Sequence, residues 1–520
     1  MKDSLNRREF LKLAAALPLL KLGASARLVP PEATLSSPPA NILILIFDAL
    51  SARNMSLYGY PRQTTPNMDR FAGRATVYHA HYAAGNYTTP GTASLFTGVY
   101  PWSHRALHLH GTMLDDYTLR NFFYLAAPHY YRLGYSHNLL VTTLLYQLRP
   151  DLEEFKFGRD LSLADTEYSD RVFPNDYNAS FWGEELALRG SSTLPSSLFI
   201  SQLYRLWQDW RERRVQAQYS KQFPQGLPSN NGVLYNMEKG IDWCTQQLGQ
   251  LPQPFLAYIH FLPPHHPYNP RKEFVNRFQD DYNPLKKPRH RFAETGATNQ
   301  FLKQQRQAYD ENLAYADSEF GRLYEQLLSQ GLLENTCLAI TSDHGEMFER
   351  GIWGHGTRTL YEPLIRVPMI LSQPGQAQRQ DVYTPTSNVD LLPSLLHLMG
   401  QPVPAWCEGR ILPGLDGPAS TDSSLSERSI YAMEAKQNAQ RGPLKSGTFA
   451  LIQGRYKLIR YRGYGSASGT GGAKENPDEL YDLANDPEEL ENRNLAEKSL
   501  AEELAHELEV KLAEKGTRLA

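Results

Sequence analysis

The chain has 520 residues, 41% of them hydrophobic, enough to bury a large core in one big domain with a smaller appendage. Its formal net charge of −3 leaves no general electrostatic footprint for nucleic acid. Three widely separated cysteines, Cys244, Cys337 and Cys407, have no pair at metal-ligand spacing and exclude a disulfide framework.

At the N-terminus, Asn6-Arg7-Arg8-Glu9-Phe10-Leu11-Lys12 resembles the twin-arginine export motif. An apolar run from Leu13 to Leu20 follows, then Lys21 and the small-residue site Ala24-Ser25-Ala26. The run is too short to span a bilayer, so residues 1–26 read as a cleaved twin-arginine signal peptide. That predicts a partner, the twin-arginine export machinery, and an exported protein, periplasmic or extracellular, with no transmembrane segment after cleavage. Residues 27–40, rich in proline and serine, read as a linker.

From residue 41 the pattern is that of an α/β domain reaching to about residue 400. Asn41–Phe47 is a nearly continuous apolar run ending at Asp48, as a central strand of a parallel sheet would be. Similar runs recur at Pro254–Leu262, Thr336–Ser342 and Val367–Ser372. Between them Tyr309, Leu313, Ala316, Phe320, Leu323 and Leu327 share one helical face, closed by Gly331. Strands alternating with helices predict a mostly parallel sheet between helices. Residues 150–250 are less regular and rich in aromatics, and read as an insertion. A helix is expected around Leu203–Val215, carrying Trp207 and Trp210; it either shapes substrate access or simply packs on the scaffold. Residues 401–520 form the C-terminal subdomain. Ser429–Met433, Phe449–Gln453 and Tyr456–Tyr461 predict a small antiparallel sheet, and an amphipathic helix follows from about Ser499.

Asp48 and Asp343 stand at the carboxyl ends of two separate strands, where open α/β sheets build their sites. His344 follows Asp343 directly, and mixed oxygen and nitrogen donors suit zinc or manganese, with calcium or magnesium as the alternatives. His265 and His266, in Pro264-His265-His266-Pro267-Tyr268, and His355, in Trp353-Gly354-His355-Gly356, are candidates for substrate binding or acid catalysis. Taken singly, Asp48 reads equally well as a helix cap and each histidine as a satisfied structural group.

Order and context change that balance. Thr88-Thr89-Pro90-Gly91-Thr92-Ala93-Ser94-Leu95-Phe96-Thr97-Gly98 resembles the sulfatase signature Cys-x-Pro-x-Arg followed by Leu-x-Thr-Gly. Thr65-Pro66-Asn67-Met68-Asp69-Arg70, Gly98-Val99-Tyr100-Pro101, Leu360-Tyr361-Glu362, Ile365-Arg366-Val367-Pro368 and Glu479-Leu480-Tyr481-Asp482-Leu483 extend the likeness in the family's own order to about residue 495. The resemblance implies an alkaline-phosphatase-like fold and a divalent metal ion held by Asp48, Asp343 and His344, with Thr88 completing the inner shell. Thr88 stands where sulfatases carry the cysteine that becomes formylglycine, and a threonine cannot be converted that way. It can attack as an alkoxide, as in phosphoryl-transferring relatives. Thr92 replaces the signature arginine at the substrate-binding position, Ala49 the second aspartate of the usual pair, and His355 a sulfate-binding lysine. After Gly134-Tyr135 the chain reads Ser136-His137-Asn138 instead of Gly-Lys-Trp-His.

The resulting expectation is a metal-dependent hydrolase of phosphate or sulfate esters of a small molecule, glycan or lipid. Thr88 would be the nucleophile, and His265 or His355 would bind the anion or protonate the leaving oxygen. Three alternatives stand beside it: a transferase of phospho-headgroups onto lipid or glycan, a true sulfuric ester hydrolase, and a non-catalytic binding protein on the same scaffold. A second zinc would draw on His260, His265, His266 and His355.

Overall fold

The computed structural model describes residues 40–127, 129–163, 202–230, 233–415, 428–464 and 478–515. The expected signal peptide and nearly all of the linker lie outside the described residues. Asn41–Phe47 (β1) divides its side chains between two cores. Leu43, Leu45 and Phe47 face one, and Ile42, Ile44 and Ile46 face the other. That is why the run looked apolar at every position.

Seven more strands join it: Thr76–Tyr78 (β2), Tyr131–Ser136 (β3), Glu154–Lys156 (β4), Phe255–Phe261 (β5), Thr336–Thr341 (β6), Met369–Ser372 (β7) and Gln380–Val382 (β8). The order across the sheet is β8-β2-β7-β6-β1-β5-β3-β4. Only β7 runs against its neighbours; the other pairings are parallel. Two predicted strands are shorter than expected. β7 begins after Pro368, which has no N–H to give the ladder. β6 stops at Thr341, and just beyond it the Ser342 hydroxyl meets Phe47 O, His344 O and the Leu50 amide, tying the turn that follows to the end of β1.

Helices cover both faces: Pro66–Ala72 (α1), Thr88–Thr97 (α2), Leu139–Gln147 (α3), Gln202–Tyr219 (α4), Met237–Leu248 (α5), Asn299–Ser329 (α6) and Leu391–Leu398 (α7). Residues of α1, α5 and α6 fill one core, and those of α2, α3 and α7 the other. α6 starts at Thr298, whose side chain accepts from the Phe301 amide, and Gly331 just beyond it takes φ 66°. The expected insertion at 150–250 is narrower than the sequence suggested. β4 is the edge strand of the main sheet and α5 is the crossover into β5, so both flanks are scaffold. The helix expected around Leu203–Val215 is α4, and Trp210 on it is exposed. Residues 164–201 and the Trp207 side chain lie outside the description.

Ser429–Glu434 (β9), Gly447–Gln453 (β10), Tyr456–Arg462 (β11) and Glu479–Asp482 (β12) form the antiparallel C-terminal sheet in that order. Lys498–Glu514 (α8) packs on one of its faces, and the segment from Met347 to Ile365 packs on the other. The small sheet therefore braces the loop that carries His355. All three cysteines are free thiols. Among the described residues no helix is long and apolar enough to cross a membrane.

Candidate active site

Parallel strands deliver their carboxyl ends to one edge of the sheet, and the site collects there. β1 ends at Asp48, β3 at Asn138, β5 at His260 and then His265, and β6 at Asp343 and His344. Thr88 is the first residue of α2. Gly91 makes the assembly possible: a Cβ there would lie 2.1 Å from the Asp343 carbonyl oxygen. Only glycine lets the first turn of α2 come this close.

Asp48, Asp343 and His344 are fully buried, and one donor atom from each lies within 4.8 Å of the others. Among the described residues this is the one group of its kind. Asp48 Oδ1 and Asp343 Oδ2 are buried without a hydrogen-bond partner. His344 Nε2 stands 3.5 Å from the first and 3.7 Å from the second. Its Nδ1 meets Gly345 O at 2.9 Å, so Nδ1 carries the proton and the Nε2 lone pair faces the carboxylates. Burial and the charge of His355 hold His344 well below the usual imidazole range, which keeps that lone pair free. Burial and the negative charge of Asp48 push Asp343 far up. Burial would raise Asp48 too, but His265, His260 and His344 outweigh it and hold its carboxyl well below the usual range. Two orphaned carboxylate oxygens and an imidazole lone pair in a dry cavity are costly alone and fit a divalent cation.

Thr88 Oγ1 lies 3.3 Å from His344 Nε2 and is all but buried. Tyr87, the residue before α2, lends no side-chain cap, so the first-turn amides and the helix dipole face the hydroxyl. Asn138 comes from the opposite side. Its Nδ2 donates to Asp48 Oδ2 at 2.5 Å and approaches Thr88 Oγ1 at 3.4 Å. Its Oδ1 accepts from the Leu140 amide at 2.8 Å, which fixes the amide with its NH2 toward the site. His260 adds a second donor: Nε2 sits 3.1 Å from Asp48 Oδ2 while Nδ1 meets the Tyr258 hydroxyl at 2.9 Å.

The remaining histidines divide. His355 packs at a tilt against His344 with ring centroids 4.3 Å apart, and His265 at a tilt against His355 at 4.9 Å. His355 Nδ1 is 2.9 Å from Glu346 Oε1, and Glu346 is buried. Burial lowers the His355 pKa, but Glu346 more than offsets this and leaves it above the usual value. His266 turns the other way, edge-on to Tyr268 and Trp353, each at 5.3 Å. Thr92 lies one turn further along α2, fully buried beside the Tyr258 phenol. Sequence reasoning thus reached Asp48, Thr88, His265, Asp343, His344 and His355, which converge. It gave no role to Asn138 and Glu346, and it named His260 only as a second-zinc candidate. A histidine inside the apolar run Phe255–Phe261 was the available signal for His260, and the acid in Asp343-His344-Gly345-Glu346 the signal for Glu346.

The model of the sulfatase family matches residues 40–401, and that of the N-sulphoglucosamine sulphohydrolase C-terminal region matches residues 349–518. A choline-sulfatase of Rhizobium meliloti is 25% identical over 88% of this chain and 82% of that protein. The uncharacterized sulfatase YidJ of Escherichia coli is 23% identical over 87% and 82%. Among solved structures, the phosphonate monoester hydrolase of Agrobacterium radiobacter superposes with a TM-score of 0.63 at 18% identity, covering 92% of this chain and 96% of that one. A 2-O GAG sulfatase, BT1596, gives 0.62 at 18%, with 92% and 93% covered. At these identities the superpositions speak for the fold.

Proposed function

The chain belongs to the sulfatase family, and with it to the hydrolases acting on ester bonds, and within that family we propose that it cleaves phosphate esters with Thr88 as nucleophile. The observation that carries this reading is the Thr88 hydroxyl 3.3 Å from His344 Nε2, at the position where sulfatases build their aldehyde hydrate from cysteine. A divalent cation held by Asp48, Asp343 and His344, zinc or manganese by its donors, supplies positive charge that lowers the pKa of a neighbouring hydroxyl and offsets charge on the ester.

Thr88, its hydroxyl proton released to solvent, attacks the phosphorus in line through Oγ as the bond between phosphorus and the leaving oxygen breaks. Asn138 Nδ2 donates toward the attacking oxygen and holds Asp48 in place. The leaving oxygen takes a proton from His355, whose imidazolium is supported by Glu346, with His265 packed behind it. Water, giving a proton to the now neutral His355, then attacks the phosphothreonine, the P–Oγ bond breaks, and Thr88 Oγ takes a proton from solvent. Sulfate esters are the second reading, favoured by the relatives' names, choline-sulfatase among them.

The test pairs metal analysis of the purified protein with rates on aryl phosphate, phosphate diester, phosphonate monoester and aryl sulfate, for wild type and Thr88→Ala. Bound zinc or manganese with phosphoester turnover abolished by the substitution is the expected result. Sulfate turnover that survives Thr88→Ala would mean the nucleophile is misassigned. Transfer of the phospho-group to an added alcohol, with none released to water, would point to a transferase. We also propose export through the twin-arginine pathway, resting on Asn6–Lys12. Replacing Arg7 and Arg8 with lysine should retain the protein, uncleaved, in the cytoplasm.

A further inference from the structure

Arg291 and Arg358 lie against one shared ring, Phe292, and Arg358 is close in the chain to the site. Arg358 lies three residues beyond His355, at most about 11 Å of extended chain. Asn86 Nδ2, two residues before Thr88, donates to the carbonyls of Thr357 and Thr359 at 2.9 Å each. Arg358 is therefore pinned, on both flanks, to the turn that carries the nucleophile. Its guanidinium lies over the Tyr464 ring at 5.0 Å and the Phe292 ring at 5.5 Å. Arg291 lies against the same Phe292 ring at 4.2 Å and against Tyr461 at 5.6 Å. Lys436 adds a third charge beside them, its Nζ donating to the Gly356 and Thr357 carbonyls.

Among the described residues neither Arg291 nor Arg358 forms an ion pair with a carboxylate. Arg62, Arg271 and Arg428, by contrast, each do. Arg291 is exposed and Arg358 half-buried, so both can be reached from solvent. Partial desolvation of its head group and the charge of Arg358 lower Arg291 from the usual guanidinium value, against the opposing pull of Tyr461, Tyr464 and Glu479, so the two cations repel one another. Aromatic faces stabilise such cations without neutralising them, and a planar guanidinium fork suits phosphate, sulfate and carboxylate alike.

We propose that Arg291 and Arg358 form a subsite for a second anionic group of the substrate, so that the preferred esters carry another anionic group besides the one that is cleaved. This rests on the reading of the Thr88 centre as an ester-cleaving site and adds the substrate class. One group is cleaved at Thr88 while the other is held at the rim and orients the molecule.

The experiment uses the full metal-loaded chain with Thr88→Ala, to block turnover, and calorimetric titration. The probes are propyl phosphate, a short series of alkane-diol bisphosphates, and phosphate esters of ω-hydroxy carboxylic acids. At least one probe with two anionic groups should bind about tenfold tighter than propyl phosphate or better. Arg358→Gln and Arg291→Gln should each erode that advantage and leave propyl phosphate unchanged. A preference for the bisphosphates assigns the second group as phosphate-like, and a preference for the carboxylates as carboxylate. Equal binding of the probes with one and with two anionic groups, or an advantage that survives both substitutions, overturns the subsite. Failure of every probe to bind overturns the ester-site reading itself, and the subsite with it.

Discussion

Asn138 gives its side-chain amide to Asp48 Oδ2 at 2.5 Å, and the same nitrogen approaches Thr88, the proposed nucleophile. A donor aimed at both a metal-binding carboxylate and an attacking oxygen contributes most when charge moves between them. Asn138→Ala should therefore lower kcat by roughly 10²-fold with a small change in KM. Asn138→Asp should be worse, since it sets a third carboxylate against Asp48. Steady-state kinetics on the aryl phosphate decide it; kcat within a factor of two of wild type in Asn138→Ala would remove the residue from the mechanism.

Gly91 offers a case where two effects oppose each other. It lies within α2, and alanine in a helix is favoured over glycine by about 1 kcal/mol. Yet the new Cβ would sit 2.1 Å from Asp343 O, a backbone atom that cannot swing away. The close approach wins, because relieving it moves either Thr88 or Asp343. Gly91→Ala should fold but bind its metal roughly 10- to 100-fold more weakly, as lost support of a ligand usually costs. Metal content after dialysis against a graded chelator is the measurement, and unchanged retention would contradict it.

How much of this was legible beforehand follows from where each residue sits. Asp48 and Asp343 close apolar strands, and a carboxylate at that place is visible in one dimension. Thr88 and His344 were carried by motif order. Asn138 was hidden because its stretch departs from the family pattern. Its position depends on β3 pairing with β5, a contact between residues more than a hundred apart in sequence. β4 and α5 were read as insertion because a three-residue edge strand carries almost no periodicity, and α5 is separated from it by residues 164–201. Thr92 looked like a site residue by alignment to an arginine. On α2 it falls one turn further along, where a side chain as short as threonine ends beside Tyr258.

Acid should destabilise the fold through its buried neutral histidines. His104 Nδ1 accepts from the Ala106 amide at 3.1 Å, and Nε2 meets Ser94 Oγ at 3.0 Å, so a second proton would break the first bond. Burial pushes His104 down to about 3, His137 to about 3 and His81 to about 4. Each folded value lies below the unfolded value of about 6.5. Between the two only the unfolded chain binds the proton, so the contribution is complete above about pH 6.5 and falls as pH drops toward 4 and 3. From pH 6.5 to 5 each such histidine costs up to about 2 kcal/mol. Urea unfolding across this window should show stability falling with acid, and His104→Gln should flatten the slope by about one proton. An identical slope in the variant would clear His104 of the effect.

Lys457 ties the C-terminal sheet to the catalytic core. On β11 and fully buried, its Nζ lies 3.1 Å from Glu362 Oε1 and 2.8 Å from Glu489 Oε1. Glu489 also accepts from the Glu362 amide at 2.9 Å, so the two acids are held together around one cation. Burial raises Glu489 even with Lys457 present. Lys457→Met keeps the stem and removes the charge, leaving two buried carboxylates with no cation, which typically costs about 3–5 kcal/mol. Because one of them must then take up a proton, the loss should be greatest at neutral pH and shrink as pH falls toward 5. Adding Glu489→Gln should recover part of the stability at pH 7, since an uncharged amide no longer needs the ammonium. Denaturant melts of the single and double variants test this. A double variant less stable than Lys457→Met alone would show that Glu489 finds another cation, and that the triad is not what joins the two sheets.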